Sequence, residues 1–130
     1  MSLEQKKIMV VKIGSSTLVT GEGKLDTAYL ATLASQISGL RQRGWSPFIV
    51  TSGAVACGLE ALGISMRPSD TPSLQAAASV GTNILVSIYA RAFKAHDMLT
   101  SLVLITRQVT ADREQYLHVR DTLERLLDLE

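Results

Sequence analysis

One lysine stands at the end of an apolar run, immediately before a bend of small polar residues. Residues 8–13 read Ile-Met-Val-Val-Lys-Ile, and Gly14, Ser15 and Ser16 follow them. An apolar run of this length that ends in such residues is typical of a buried strand entering a tight loop. Glycine lets the backbone approach a ligand closely, and the serine hydroxyls and the Lys12 ammonium are hydrogen-bond donors. The stretch is therefore a candidate site for phosphate oxygens.

A second bend of the same kind consists of Ser52, Gly53 and Ala54. They follow the apolar run Pro47–Val50 and precede Val55–Leu62, which is typical of a short helix that ends at a glycine. The first amides of a helix and the positive end of its dipole favour an anion. In a parallel sheet, ligands collect at the carboxyl ends of the strands. We therefore expect both bends to face one crevice that takes two anionic substrates.

Each bend also has a purely structural interpretation. Lys12 could extend from the strand end into water beside a polar turn, and Ser52 could be the N-cap of the helix that follows it. Three familiar sites are excluded, because the chain contains no G-x-x-x-x-G-K-[ST], no G-x-G-x-x-G and no G-x-S-x-G. Neither His96 nor His118 has an evident acid partner, which further disfavours a serine hydrolase.

The composition is that of one globular domain. The chain has 130 residues, of which 46% are hydrophobic and 19% are charged, so disorder is not expected. A net charge of +1 gives no reason to expect a nucleic-acid or membrane partner. The single cysteine cannot form an intrachain disulfide, which fits a reducing cytoplasm. The N-terminus lacks the features of a signal peptide, and no apolar window is long enough to span a membrane.

The pattern of apolar residues predicts strands and helices in alternation. Helical spacing predicts one helix over Thr27–Arg43 and a longer one over Leu74–Lys94, with an interruption at Gly81. Thr100–Ile105 has the composition of a third buried strand. This order predicts an α/β fold whose parallel sheet is covered by helices on both faces. The remaining predicted features are a loop or hairpin over Thr17–Lys24, N-caps at Asp26 and Asp112, and a last helix after Asp112.

Four stretches, taken in order, resemble the amino acid kinase family. Val10–Leu18 is similar to the opening of that family, and Val50–Gly58 is similar to its glutamate 5-kinase branch. Residues 74–81 and 104–123 agree with the same branch. The resemblance implies a three-layer αβα sandwich with a mainly parallel sheet, here truncated. Residues 1–130 would be the N-terminal, glutamate-binding part, and the C-terminal nucleotide-binding part would be absent from this chain.

The resemblance also implies an activity and its participants. The reaction is the ATP-dependent phosphorylation of the L-glutamate side-chain carboxylate to glutamyl 5-phosphate, the first step of proline biosynthesis. ATP and Mg²⁺ are the implied cofactors, a homo-oligomer is implied for the full-length protein, and no residue of this chain is expected to bind a metal. The resemblance, carried over by position, assigns the ATP phosphates to Lys12, Gly14 and Ser15, and it makes Lys12 the catalytic residue. It assigns glutamate binding to Ser52, Gly53 and Ala54.

Other functions stay open at this point. The chain could be a non-catalytic, anion-binding remnant or regulatory module of the same fold, or another kinase of the family with a different acceptor. A nucleotide-binding dehydrogenase is least favoured, since its glycine fingerprint is absent. The last helix runs to Glu130 with no strand after it, so we expect the chain to be the front part of a longer domain. The 130 residues alone are not expected to turn over.

Overall fold

The computed structural model describes residues 6–129, and it is a mixed α/β structure with a two-stranded parallel sheet. Along the chain the elements are β1 (Lys7–Ile13), α1 (Ser15–Leu18), α2 (Thr27–Gln42), β2 (Trp45–Thr51), α3 (Ala54–Ala61), α4 (Thr71–Lys94), α5 (Arg107–Ala111) and α6 (Arg113–Asp128). None of the helices within residues 6–129 has both the length and the apolar character that a membrane crossing needs.

The two strands lie side by side and run in the same direction. Their register pairs Lys7 with Trp45 at one end and Ile13 with Thr51 at the other. Parallel strands cannot be joined by a tight turn, and α2 supplies the crossover that they require. The predicted parallel pairing of the first two strands is therefore confirmed, and both strands end at the same edge of the sheet.

The three longest helices begin at aspartates. Asp26, Asp70 and Asp112 each accept a hydrogen bond of 2.9 Å from the backbone N–H three residues later. This contact satisfies one of the amide groups that have no partner inside the first helical turn. The predicted caps at Asp26 and Asp112 are confirmed, and α2 ends at Gln42, one residue before the predicted end.

The core lies between one face of the sheet and the helices α2 and α4. Val11 and Ile49, which are paired across the two strands, both pack against it. On the other face, Val10 and Val50 are 64% and 51% exposed. Helices were predicted on both faces of the sheet, but around Val10 and Val50 this face is open to solvent. The buried side chains of the core are Ile13, Leu18, Leu30, Leu33, Ala34, Ile37, Cys57, Leu85, Tyr89, Phe93 and Met98.

The predicted third strand at Thr100–Ile105 is wrong. Residues 98–106 form no regular element, and Leu99 and Leu104 are 97% and 74% exposed. The apolar composition favours burial, but a strand also needs a hydrogen-bonding neighbour. Each strand of the described chain pairs only with the other, so this segment has no partner.

The predicted interruption at Gly81 is also wrong, because α4 continues through it without a break. A Cβ atom at Gly81 would overlap the Ala54 carbonyl of α3, and a Cβ at Gly58 would overlap the Ala77 carbonyl of α4. The two helices thus touch backbone to backbone at both glycines. Glycine costs about 0.5–1 kcal/mol relative to alanine inside a helix, and here the lack of a side chain is what allows this contact.

The loop or small hairpin predicted over Thr17–Lys24 is a hairpin that follows the single turn of α1. Val19 and Leu25 form an antiparallel bridge, and the Thr20 N–H donates to the Lys24 carbonyl at 2.7 Å. The single turn of α1 and the short helix α5 were not predicted.

Candidate functional site

The structure places the two bends at the same edge of the sheet. Gly14 follows β1 and Ser52 follows β2, one residue beyond the paired positions Ile13 and Thr51. Neighbouring parallel strands lie about 4.8 Å apart, so the backbones of the two bends leave the sheet as close neighbours. Sequence reasoning predicted this arrangement from the order of the elements alone.

Lys12 lies on the face of the sheet that carries the exposed Val10 and Val50. It is exposed and stands opposite Val50 in the register, beside the exposed Val10 on its own strand. Ser52 is two residues beyond Val50, so it lies roughly 6–7 Å farther along the strand direction than Lys12. No carboxylate of residues 6–129 forms an ion pair with Lys12. Its ammonium is therefore available to a bound anion.

Ser52 is not the N-cap of the helix that follows it. Gly53 occupies the cap position of α3, and no side chain caps that helix. The Ser52 hydroxyl instead donates to the Ile13 carbonyl at 3.4 Å. The capping interpretation is wrong for this residue. Because a bond of this length is weak, the exposed hydroxyl is able to turn toward a ligand.

The helices that begin at the two bends, α1 and α3, differ from the long helices in their first turn. Gly14 and Gly53 hold their cap positions, and neither helix has a capping hydrogen bond from a side chain. The first amides of a helix have no partner within the helix and need one from elsewhere. The Thr17 N–H of α1 donates to the Gly14 carbonyl, and the amides that lack a partner at the start of α1 and α3 lie at the same edge of the sheet, where an anion would satisfy them.

Gly53 adopts a backbone conformation that L-residues rarely adopt. Its φ angle is +110°, which lies in the region that glycine enters without strain. A Cβ atom placed there would lie 3.5 Å from Cδ1 of Leu18, which belongs to α1 and is fully buried. The second bend thus lies beside Leu18, the last residue of the helix that begins at the first bend.

Two residues beneath the second bend were missed by sequence reasoning. The Tyr89 hydroxyl lies 2.8 Å from the Thr51 hydroxyl, which in turn donates to the Ser52 carbonyl at 3.2 Å. Tyr89 is 8% exposed, and burial raises the pKa of its phenol. The phenol is therefore uncharged at neutral pH. Nothing local in the sequence indicated this contact, because Tyr89 and Thr51 are separated by 38 positions.

The site offers hydrogen-bond donors and a cation rather than metal ligands. Within residues 6–129, no cluster of three or more His, Cys, Asp or Glu side chains has a geometry that could hold a metal ion. Backbone amides, a serine hydroxyl and a lysine ammonium are the groups that bind carboxylates and phosphates. The arrangement suits anions.

A cavity of about 500 Å³ lies elsewhere, and none of the residues of the two bends lines it. Cys57 is at its wall, and burial, with a smaller contribution from Glu60, raises the pKa of that thiol. Cys57 is a free, buried cysteine. The cavity is lined by Lys24, Leu25, Thr27, Cys57, Glu60, Ala61, Ile84 and Ile88.

Comparison with known proteins places these features in a family context. The sequence profile described as "Amino acid kinase family" matches residues 7–130. A glutamate 5-kinase of Burkholderia ambifaria is 46% identical over 128 residues, which cover 98% of this chain and 34% of the relative. The glutamate 5-kinases of Burkholderia lata and Herminiimonas arsenicoxydans are 45% and 43% identical, with the same coverage. The chain thus spans about a third of the length of the curated relatives it matches.

Proposed function

The chain belongs to the amino acid kinase family, and from that membership we propose that it forms part of a glutamate 5-kinase. The proposed reaction transfers the γ-phosphoryl group of ATP to the side-chain carboxylate of L-glutamate and yields glutamyl 5-phosphate, the first intermediate of proline biosynthesis. The observation that carries this proposal is the parallel register, which puts the bend after Lys12 and the bend at Ser52 at one edge of the sheet.

The chemistry needs no general base. A glutamate side chain has a pKa of about 4.3, so the acceptor is already an anion at neutral pH. The barrier comes from bringing two anions together and from the charge on the phosphoryl oxygens during transfer. Positioned cations and N–H donors lower such a barrier. A site of donors without a catalytic histidine is therefore consistent with the reaction.

The bend after β1 is proposed to hold the phosphates of ATP. The Lys12 ammonium would contact the phosphate oxygens and stabilise the phosphoryl group in transfer, as a catalytic residue. Gly14 and Ser15 would add donors beside it. Support comes from the exposure of Lys12 beside the exposed Val10 and Val50, at the edge of the sheet where the bend begins.

The bend after β2 is proposed to hold glutamate. The Ser52 hydroxyl and the backbone amides of Gly53 and Ala54 would donate to its oxygens. Support comes from the absence of a side-chain cap on α3 and from the weak hydrogen bond that the Ser52 hydroxyl makes without a ligand.

Mg²⁺ is proposed to accompany ATP and to neutralise part of the phosphate charge. Mg²⁺ in such sites keeps several waters and takes phosphate oxygens as ligands, with only one or two carboxylates. No carboxylate within residues 6–129 is assigned to it, because that part of the chain has no acidic cluster suited to a metal.

The proposal extends to the architecture of the whole protein. Residues 1–130 would be the N-terminal, glutamate-binding part of a three-layer αβα sandwich, and a nucleotide-binding part would follow in a longer chain. The complete protein would be a cytoplasmic homo-oligomer, and the 130 residues alone would not turn over. The length of the relatives supports this division, because the chain covers only 34% of each.

A second candidate function is a non-catalytic module that keeps the anion site. The donors of the second bend and the Lys12 ammonium would suit anion binding without phosphoryl transfer as well. Activity of the complete gene product that carries these residues decides between the module and the glutamate kinase.

The test is hydroxamate formation by the complete gene product with ATP, Mg²⁺ and L-glutamate. We expect product with L-glutamate and much less with L-aspartate. Lys12→Ala should lower kcat roughly 10²- to 10³-fold, the size expected for losing one transition-state donor. Lys24→Ala is the matched control, since Lys24 is also exposed but lies in the hairpin. Absence of product, or equal rates for the two variants, would overturn the proposal.

A further inference from the structure

Two hydrogen bonds in series connect α4 to the peptide group in the middle of the second bend. The Tyr89 and Thr51 hydroxyls are 2.8 Å apart, and the Thr51 hydroxyl donates to the Ser52 carbonyl at 3.2 Å. Since that bond uses the one proton of the Thr51 hydroxyl, Tyr89 is the donor to Thr51. The Tyr89 ring is itself held in the core, where it stacks on Phe93 with centroids 6.1 Å apart.

Fixing the Ser52 carbonyl also fixes the N–H group of Gly53. The two belong to one planar trans peptide unit and point in opposite directions. Gly53 has no side chain to restrict its rotation, and its φ angle of +110° lies in a region that glycine reaches as readily as its mirror image. An external contact is therefore needed to select one direction for this amide, and Tyr89 supplies it through Thr51.

The other end of the bend is held by close packing. Gly81 of α4 lies so near the Ala54 carbonyl that a Cβ atom would overlap it. Ala54 is the first residue of α3 and the last of the bend. The backbone of α4 therefore sets the position of Ala54. The bend is held at Ser52 by a hydrogen bond and at Ala54 by close packing.

From these contacts we infer that α4 positions the second bend, with Tyr89 and Gly81 as positioning residues for the acceptor carboxylate. The inference rests on the proposed function of the bend for the identity of its ligand. Neither residue touches that ligand. Tyr89 directs the Gly53 amide toward it, and Gly81 sets the distance of α3 from α4.

Tyr89→Phe tests the hydrogen-bonded side with little risk to folding, because it removes one oxygen and keeps the ring. In the complete gene product we expect the KM for glutamate to rise about 3- to 10-fold, the range for losing one neutral hydrogen bond. The KM for ATP should stay within twofold of the wild-type value. Tyr29→Phe is the matched control, since Tyr29 packs against the same core from α2, and it should change neither constant.

A double-substitution cycle shows whether Tyr89 acts through Thr51. Thr51→Val should raise the KM for glutamate by itself, and adding Tyr89→Phe to it should have no further effect, because both remove the same path. Thr51→Ser keeps the hydroxyl and should restore a KM near that of the wild type. Additive effects of Tyr89→Phe and Thr51→Val would overturn the proposed path.

Two glycine-to-alanine substitutions test the contact between Gly81 and the Ala54 carbonyl. Gly81→Ala and Gly58→Ala both place a methyl group against the backbone of the facing helix, and both should lower the melting temperature. Only Gly81→Ala acts at the bend, so we expect the larger rise in the KM for glutamate from it. Equal KM values for the two variants would overturn the role of Gly81. If either variant fails to fold, Tyr89→Phe decides the inference.

Amide hydrogen exchange separates this inference from the proposed function. Without any ligand, Tyr89→Phe should speed exchange at Gly53 and Ala54 at least threefold, and Tyr29→Phe should not. If the wild-type protein does not phosphorylate glutamate, the proposed function fails. The positioning role of Tyr89 is then tested by the amide exchange rates of Gly53 and Ala54 alone. Unchanged exchange at these two amides, or a KM for glutamate within twofold of the wild type in an active enzyme, overturns the inference.

Discussion

The Ser52 hydroxyl donates a hydrogen bond to the Ile13 carbonyl at 3.4 Å, which ties the bend after β2 to the last residue of β1. Ile13 directly follows Lys12, so this hydrogen bond joins the two halves of the candidate site, in addition to the packing of Leu18 beside Gly53. A hydrogen bond to a charged carboxylate is roughly twice as strong as one between neutral groups. A bound carboxylate would therefore take over this hydroxyl at a net gain, and glutamate binding would release the link between the bends.

Ser52→Ala should weaken glutamate binding far more than it weakens the fold. We expect the KM for glutamate to rise roughly 10- to 100-fold, as for a lost hydrogen bond to a charged group, with unfolding free energy changed by less than about 1 kcal/mol. Steady-state kinetics and denaturant unfolding measure the two effects. Ser87→Ala removes a comparable hydroxyl-to-carbonyl bond on the exposed side of α4, and a similar rise in KM for that variant would contradict the assignment.

Gly53→Ala should lower the free energy of unfolding because of backbone strain, not because the new side chain overlaps its neighbours. The new methyl group would lie 3.5 Å from Leu18, an ordinary contact, but the φ angle of +110° would stay. We expect a loss of about 1–2 kcal/mol in unfolding free energy. Gly63→Ala carries a similar penalty at the far end of α3, where φ is +67° and no atom lies within 4 Å. Only the Gly53 variant should also alter the KM for glutamate, and equal kinetic effects would refute the role of this bend.

Leu18→Ala should loosen the contact between the two bends. Leu18 has no exposed surface and lies against Gly53. Removing a buried leucine side chain costs about 2–5 kcal/mol, depending on how far the surroundings collapse. Denaturant unfolding of the complete gene product, with and without the substitution, measures this loss. A loss below about 1 kcal/mol would show that the side chain is not packed as described.

Asp70→Asn should remove one source of acid sensitivity. The Ser73 N–H bonds to the Asp70 carboxylate and holds the pKa of that carboxyl below its ordinary value of 3.8. A lowered pKa stabilises the fold above the ordinary value, and this contribution is lost as the pH falls through the lowered one. Asparagine still caps the helix but does not ionise. The difference in melting temperature between wild type and Asp70→Asn should therefore shrink from pH 6 to pH 3, and a constant difference would contradict this.

The features that the sequence predicted well are those with a local cause. The first two strands follow from short apolar runs that end in small polar residues, and the starts of α2 and α6 follow from Asp26 and Asp112, whose side chains cap the next turn. The two bends of the candidate site were found for the same reason, since each lies at the end of a strand. Their common edge followed from the rule that parallel strands need a helical crossover.

The features that the sequence did not predict depend on contacts between distant residues. Residues 100–105 have the composition of a strand, but composition does not reveal whether a pairing neighbour is present. Gly81 was interpreted as a break in α4, although an isolated glycine in a helix often marks close packing, and its partner Ala54 is far away in sequence. Tyr89 lies within the predicted helix Leu74–Lys94, but its bond to Thr51 forms only in the folded chain and has no local signal in the sequence.

The backbone contact between α3 and α4 sets limits for anyone who redesigns this bend for another acceptor. Sliding α3 along α4 would bring the Ala54 carbonyl or Gly58 against a neighbour with no space to spare. A library aimed at longer or shorter carboxylates would therefore leave positions 58 and 81 as glycine. It would vary exposed residues of the bends, such as Ser52 and Ser15, because their side chains can change in size without disturbing the core.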